Sequence, residues 1–121
     1  MATPLNAYKK LIDSVAAISD DDTQANRIDD NRQSTDPASD ESLLIDRLSA
    51  EERATLIEML KRSRRSGIHD TLAQLNELIL LDGLRLVSSG AELPVEPFGS
   101  GLFFDWECRR NGDDWPEPEE S

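Results

Sequence analysis

Apolar residues recur at helical spacing over the first two-thirds of the chain, then give way to alternation after Gly83. That change of period predicts helices first and strands afterwards. Between Pro4 and Ile18, the residues Leu5, Tyr8, Leu11, Ile12 and Val15 form one stripe, with Lys9 and Lys10 on the other face. Thr3 offers an N-cap oxygen, and Pro4 suits the first helical position, where a missing N–H leaves no bond unmade. Residues 19–39 break the pattern. Ile28, Ala25 and Ala38 are their only apolar members, so they are expected to form an acidic flexible linker. A helical turn between Thr23 and Asn31, capped by Asp22 or Thr23, is compatible with that reading.

From Asp40 the helical period returns. Leu43, Leu44 and Leu48 share a face behind a cap at Ser39 or Asp40. Ser49 and Glu52 have the spacing of a capping box, in which each side chain bonds the other's backbone N–H. Leu56, Met59 and Leu60 extend the stripe. Lys61, Arg62, Arg64 and Arg65 then fall where a helix C-terminus favours cations, and Gly67 reads as a left-handed stop. Position accounts for this basic cluster without a phosphate ligand, and a contact with the acidic loop, within the chain or between subunits, is another reading. A further helix turns Ile68, Leu72, Leu75 and Ile79 inward and ends at Gly83.

Beyond Gly83, Leu84 and Leu86 alternate with Arg85 and Val87 before a turn at Ser88–Gly90. Pro94 and Pro97 make the next segment an extended edge or a structured loop. The clearest predicted strand is "LFFDWECRR". Alternation there sends Phe104, Trp106 and Cys108 to the core and Phe103, Asp105, Glu107 and Arg109 outward. Asn111–Gly112 is a turn signal. The predicted architecture is α+β: about four helices followed by a small antiparallel β-sheet. At 121 residues the chain fits a single domain. Its parts are an N-terminal helix (4–18), the linker (19–39), helices (40–83), the sheet (84–115) and a disordered tail (116–121).

Charge narrows the range of functions. Twenty-five acidic residues against 13 basic give a formal net charge of -12. Nucleic acids and anionic membranes are both held by Lys and Arg, so neither is an expected partner; the acidic surface either suits a basic protein partner or serves only to keep the protein soluble. One cysteine cannot close an internal disulfide. The first residues lack the basic segment and long apolar run of a secretory signal. The longest apolar run, Leu78 to Leu81, is far too short to span a bilayer. A soluble cytoplasmic protein is expected.

Candidate chemistry is sparse. Asp20 to Asp22 lack the glycine and spaced glutamate of a calcium loop. His69 and Asp70 are helix neighbours, which point about 100° apart, and no nucleophile or metal set accompanies them. No metal, no cofactor and no catalytic residue is assigned.

The stretch "GIHDTLAQLNELILLDGLRLVSSGAELPVEPFGSGLFFDWECRRNGDDWP" resembles a family of small bacterial proteins described as a domain of unknown function. That family has a helical first half and a G-I-H-D helix. A G-L-R-L strand, an E-L-P-V-E-P-F/Y-G segment and an aromatic strand running into C-R-R-x-G-D-x-W-P follow. The match covers Gly67 to Pro116 closely and "YKKLIDSVA" more loosely. The resemblance implies a bacterial source and transfers no reaction.

Residues 96–116 hold five of the six aromatic residues, the cysteine and two arginines. Three readings compete for them. In the first, the aromatic strand is simply core. In the second, its outer face is a recognition surface, because exposed aromatics beside arginine make binding hot spots. The third makes Cys108 a nucleophile with His69 as base and Asp105 or Glu107 assisting. A mid-strand cysteine on an apolar face is a poor candidate for that role. The function read from the sequence is a non-catalytic protein–protein interaction module, with self-association as one form of it. The interaction candidates are Phe98, Phe103, Asp105, Glu107, Arg109, Arg110 and Trp115. The alternative is a small enzyme or ligand-binding domain with a pocket between the sheet and the His69 helix.

Overall fold

The computed structural model describes residues 3–29 and 36–117. The middle of the expected linker and the end of the expected tail lie outside them. Helix α1 (Pro4–Ser19) starts as the sequence predicts: Thr3 Oγ1 accepts the Asn6 N–H at 3.1 Å and Pro4 takes the first turn. It buries Tyr8, Ile12, Ala16 and Ser19. Helix α2 (Thr23–Asn26) is a single turn, helix α3 runs from Asp40 to Arg47, and helix α4 runs from Ala50 to Leu81. Among the described residues four helices therefore precede a two-stranded antiparallel sheet, β1 (Val87–Ser88) with β2 (Ala91–Glu92). The fold is α+β. Among the described residues no helix is long and apolar enough to cross a membrane.

Two expectations fail at α4. Gly67 does not stop the helix, which continues unbroken for 32 residues. Gly67 stands outside the left-handed region that Gly83 (φ 75°) occupies. Helix propagation needs only one tolerable glycine, and its cost of about 1 kcal/mol is offset by the bonds on either side. The basic cluster is therefore mid-helix, far from the C-terminal carbonyls that would attract it. Its lysine instead sits 3.7 Å from Asp22. The capping box forms as predicted: Glu52 N–H donates to Ser49 Oγ at 3.1 Å, and Ser49 N–H to Glu52 Oε1 at 2.9 Å.

The third correction concerns "LFFDWECRR". Leu102–Arg110 is a helix, α5. Its buried residues are Leu102, Asp105 and Trp106, a spacing of 3 and 1 that only a helix places on one face. Asp105, expected outside, is buried, and Phe104, expected inside, is 54% exposed. Asn111–Gly112 ends this helix instead of turning a hairpin. Gly112 (φ 86°) gives its N–H to Arg109 C=O, and Asp113 gives its own to Cys108 C=O, the double closure of a Schellman motif.

The chain divides into two compact units, residues 21–66 and residues 1–20 with 67–121. In the first, Ala25, Ile28, Ile45 and Ile57 form an apolar cluster. Asp21 Oδ1 accepts the Thr23 hydroxyl at 2.6 Å and the Thr23 N–H at 3.1 Å. Those bonds hold its carboxyl below the usual range and fix the turn that leads into α2. In the second unit, α1, the Gly67–Leu81 part of α4, the hairpin and α5 enclose Tyr8, Ile12, Ala16, Leu72, Ile79, Leu93, Leu102 and Trp106. The hairpin closes through Ser89 (φ 52°) and Gly90 (φ 81°), the paired positive values of a type I′ turn. Arg85 donates to Ile79 C=O at 2.8 Å, capping the end of α4 with a cation.

The helical state of Gly67 can be tested. A Cβ built there meets nothing within 4 Å, so Gly67→Ala is expected to raise stability by about 0.5–1 kcal/mol. Urea unfolding followed by circular dichroism measures it. A loss of stability would restore the left-handed stop.

Candidate functional site

The C-terminal segment is fixed to α1 by buried polar bonds. The Tyr8 hydroxyl donates to Asp105 Oδ2, and Ser100 Oγ donates to Asp105 Oδ1 at 2.7 Å. Burial first, then the bond to Asp105 and its charge, push the Tyr8 phenol far above its ordinary value. Trp106 Nε1 donates to Ser19 Oγ at 3.1 Å, and that hydroxyl donates to Ala16 C=O at 2.8 Å. At the N-terminus of α5, the Leu102 N–H donates to Asn76 Oδ1 at 3.0 Å. Gly101 leaves room beside it: a Cβ would lie 2.7 Å from Phe103 Cε1 and 3.1 Å from Asn76 Nδ2, so those side chains would have to shift.

A second set of contacts ties down the strap that follows α5. Arg109 Nε donates to Asp13 Oδ1 at 2.7 Å, and its Nη1 donates to Asp113 C=O at 2.8 Å. Trp115 Nε1 reaches Asp13 Oδ2 at 3.4 Å. The Trp115 ring stacks on Phe98 at 5.3 Å, and the Arg109 guanidinium lies 4.9 Å from its centre. Lys9 Nζ lies 5.9 Å from both rings. Phe98 and Trp115, expected on an exposed face, are half-buried against the core.

The remaining candidates lie elsewhere. Phe103 is half-buried and meets His69 edge-on at 5.4 Å. Glu107 accepts from Arg110 Nη2 at 2.6 Å, and that guanidinium lies over the Trp106 ring at 5.7 Å. His69 is exposed, and although helix neighbours diverge, its Nδ1 lies 3.3 Å from Asp70 Oδ1.

Between α5 and the strap runs a groove of about 220 Å³. Phe98 and Ser100 line it from the loop, Phe104, Asp105, Cys108 and Arg109 from the helix, and Asp113 to Pro116 from the strap. Of the sequence-derived candidates it gathers Phe98, Asp105, Arg109 and Trp115, and it leaves out Phe103, Glu107 and Arg110. Alternation hid Phe104 and Cys108 by assigning them to the core. The signal that finds them is their i, i+4 spacing, once Leu102, Asp105 and Trp106 are read as the inner face. Cys108 is a weak nucleophile in this setting. Partial burial, then the Asp113 and Asp105 carboxylates, raise its thiol pKa, and His69 is not part of the groove. The space between α4 and the hairpin is only about 10 Å³, room for one water.

Tyr8→Phe leaves one oxygen of Asp105 without its donor and should cost roughly 1–3 kcal/mol, read as a lower urea midpoint. Lys10→Ala, an exposed control on the same helix, should stay within about 0.5 kcal/mol. A raised thiol pKa means less thiolate at pH 8. Cys108 should therefore react with a disulfide reagent more slowly than a free-cysteine peptide, with the midpoint of its pH–rate curve displaced upward. Asp113→Asn should bring that midpoint down. Equal midpoints for protein and peptide would contradict the electrostatics of the groove.

No curated protein and no solved structure matches the chain. A model described as "Family of unknown function (DUF6547)" matches residues 1–117, nearly the full length over which the helices, hairpin and strap are built, and the chain belongs to that family.

Proposed function

We propose that the chain is a non-catalytic binding protein that docks a protein partner in the groove between α5 and the strap. The observation that carries this reading is Phe104. It is a large apolar ring, 54% exposed, at the mouth of a groove whose other aromatic walls are already packed. An exposed aromatic beside a concave site with arginine at its edge has the composition of a binding hot spot. The volume also favours a docked side chain over a free ligand, since about 220 Å³ falls below the roughly 300–1,000 Å³ usual for small-molecule sites. Catalysis finds little support here. The one thiol in the groove has its pKa raised, and both oxygens of Asp105, its one buried carboxylate, are taken by Tyr8 and Ser100. Arg109, the basic group that lines the groove, is held by Asp13.

A peptide library displayed on phage and selected against the full chain tests the reading. Enriched peptides are expected to lose at least tenfold in affinity against Phe104→Ala, as truncation of a hot spot does at about 1.4 kcal/mol per decade. They should keep their affinity for Leu81→Ala, which removes another exposed apolar residue outside the groove. Equal binding to wild type and Phe104→Ala, or no enrichment at all, would overturn it.

A further inference from the structure

We infer that the groove receives one Lys or Arg side chain of the docked partner, held over the ring of Phe104 and facing the carboxylates of Asp113 and Asp114. The inference rests on the docking reading above and adds the chemistry of what docks.

The first ground is an accounting of rings. Tyr8, Phe98 and Trp115 pack on one another, Phe103 meets His69, and Trp106 meets His69 and Arg110. Phe104 alone has neither a ring nor a cation against it among the described residues, although it is the most exposed of the rings. The neighbouring rings show what the segment does with an aromatic face. Arg109 covers Trp115 at 4.9 Å, Arg110 covers Trp106 at 5.7 Å, and Lys9 stands 5.9 Å from both Phe98 and Trp115. A ring's face is negative and attracts ammonium or guanidinium groups.

The second ground is charge. Asp105, Asp113 and Asp114 line the groove against one cation, Arg109. That cation is committed to Asp13, to the Asp113 carbonyl and to the Trp115 ring. Both oxygens of Asp105 accept bonds from Tyr8 and Ser100, and the Asp113 charge raises the Cys108 thiol pKa. Asp114 is exposed and makes no hydrogen bond or ion pair among the described residues. A free carboxylate and a free aromatic ring thus border the same cavity. An acidic side chain would meet like charge there, an aliphatic one would gain nothing from Asp114, and a neutral donor would gain a hydrogen bond without the charge. A cation engages both. The net charge of -12 steers a basic partner toward the protein from a distance.

The experiment is a nitrogen-15 amide titration of the full chain with three hexapeptides identical except for a central Lys, norleucine or Glu, and with spermidine alone. The Lys peptide should shift the amides of Phe104, Cys108 and Asp114 and bind more weakly as salt rises. Phe104→Ala should weaken it by about two- to fivefold, the range of an exposed cation–π contact, and Asp114→Asn by up to about fivefold, the range of an exposed ion pair. Asp114→Asn changes an exposed, unbonded side chain, so an unchanged amide spectrum in the absence of peptide separates lost binding from lost folding. Norleucine binding as tightly as Lys would overturn the cation assignment while leaving the docking reading intact. The same holds if none of the hexapeptides binds while library peptides still depend on Phe104. Spermidine binding as tightly as the Lys peptide would assign the groove to a free polyamine and overturn the partner side chain.

Discussion

The Tyr8 hydroxyl and the Asp105 carboxylate meet inside the unit formed by residues 1–20 and 67–121, and the C-terminal third is arranged around that bond. It joins the first helix to the last across 97 residues of sequence. A carboxylate taken out of water is costly unless its oxygens are filled. Here Tyr8 fills one and Ser100 the other, so α5 can sit in only one rotation about its axis. That rotation buries Trp106 beside Asp105, and it sends Phe104 and Cys108 to the open side. The groove is a consequence of where Asp105 is held.

Apolar burial supplies the energy and the polar bonds supply the register. A buried tryptophan removes about 150–250 Å² from water, worth at most about 4–6 kcal/mol at 25 cal/mol per Å². Trp106 is 1% exposed, so it gains close to that full amount. Its indole N–H still needs an acceptor, which Ser19 provides at the last residue of α1. Asn76 does the same for the first N–H of α5. Each polar group at this interface contributes little net energy, yet any misplacement would leave one of them buried and unpaired. Such an arrangement specifies one geometry more strongly than it adds stability.

The strap after α5 depends on the same helix. Arg109 is seven residues beyond Leu102 and lies on the inner side of α5, where it reaches Asp13 on α1 and the Asp113 carbonyl. The Schellman closure at Gly112 turns the chain back at that point. Trp115 then stacks on Phe98 and covers the Arg109 guanidinium. One wall of the groove is helix and the other is this returning strap, so the site exists only when both ends of α5 are closed correctly.

By itself the sequence determined much of the helical half, because local chemistry decides those features. The Thr3 cap, the Ser49–Glu52 capping box, the Tyr8–Ile12 stripe, the stop at Gly83 and the turn before Ala91 are each set by residues within four positions of one another. The α+β class followed from the change of period at Gly83. The state of "LFFDWECRR" was not locally decidable. Nine residues with alternating aromatics satisfy a strand, and the same residues satisfy a helix whose inner face is Leu102, Asp105, Trp106 and Arg109. Tertiary structure chose the helix, since only that face brings Asp105 to Tyr8, Trp106 to Ser19 and Arg109 to Asp13 together. Gly67 was decided in the same way, by the continuity of α4 on both sides of it. The residues that border the groove followed from the rotation of α5, a quantity fixed by partners 87 to 97 positions away in the chain.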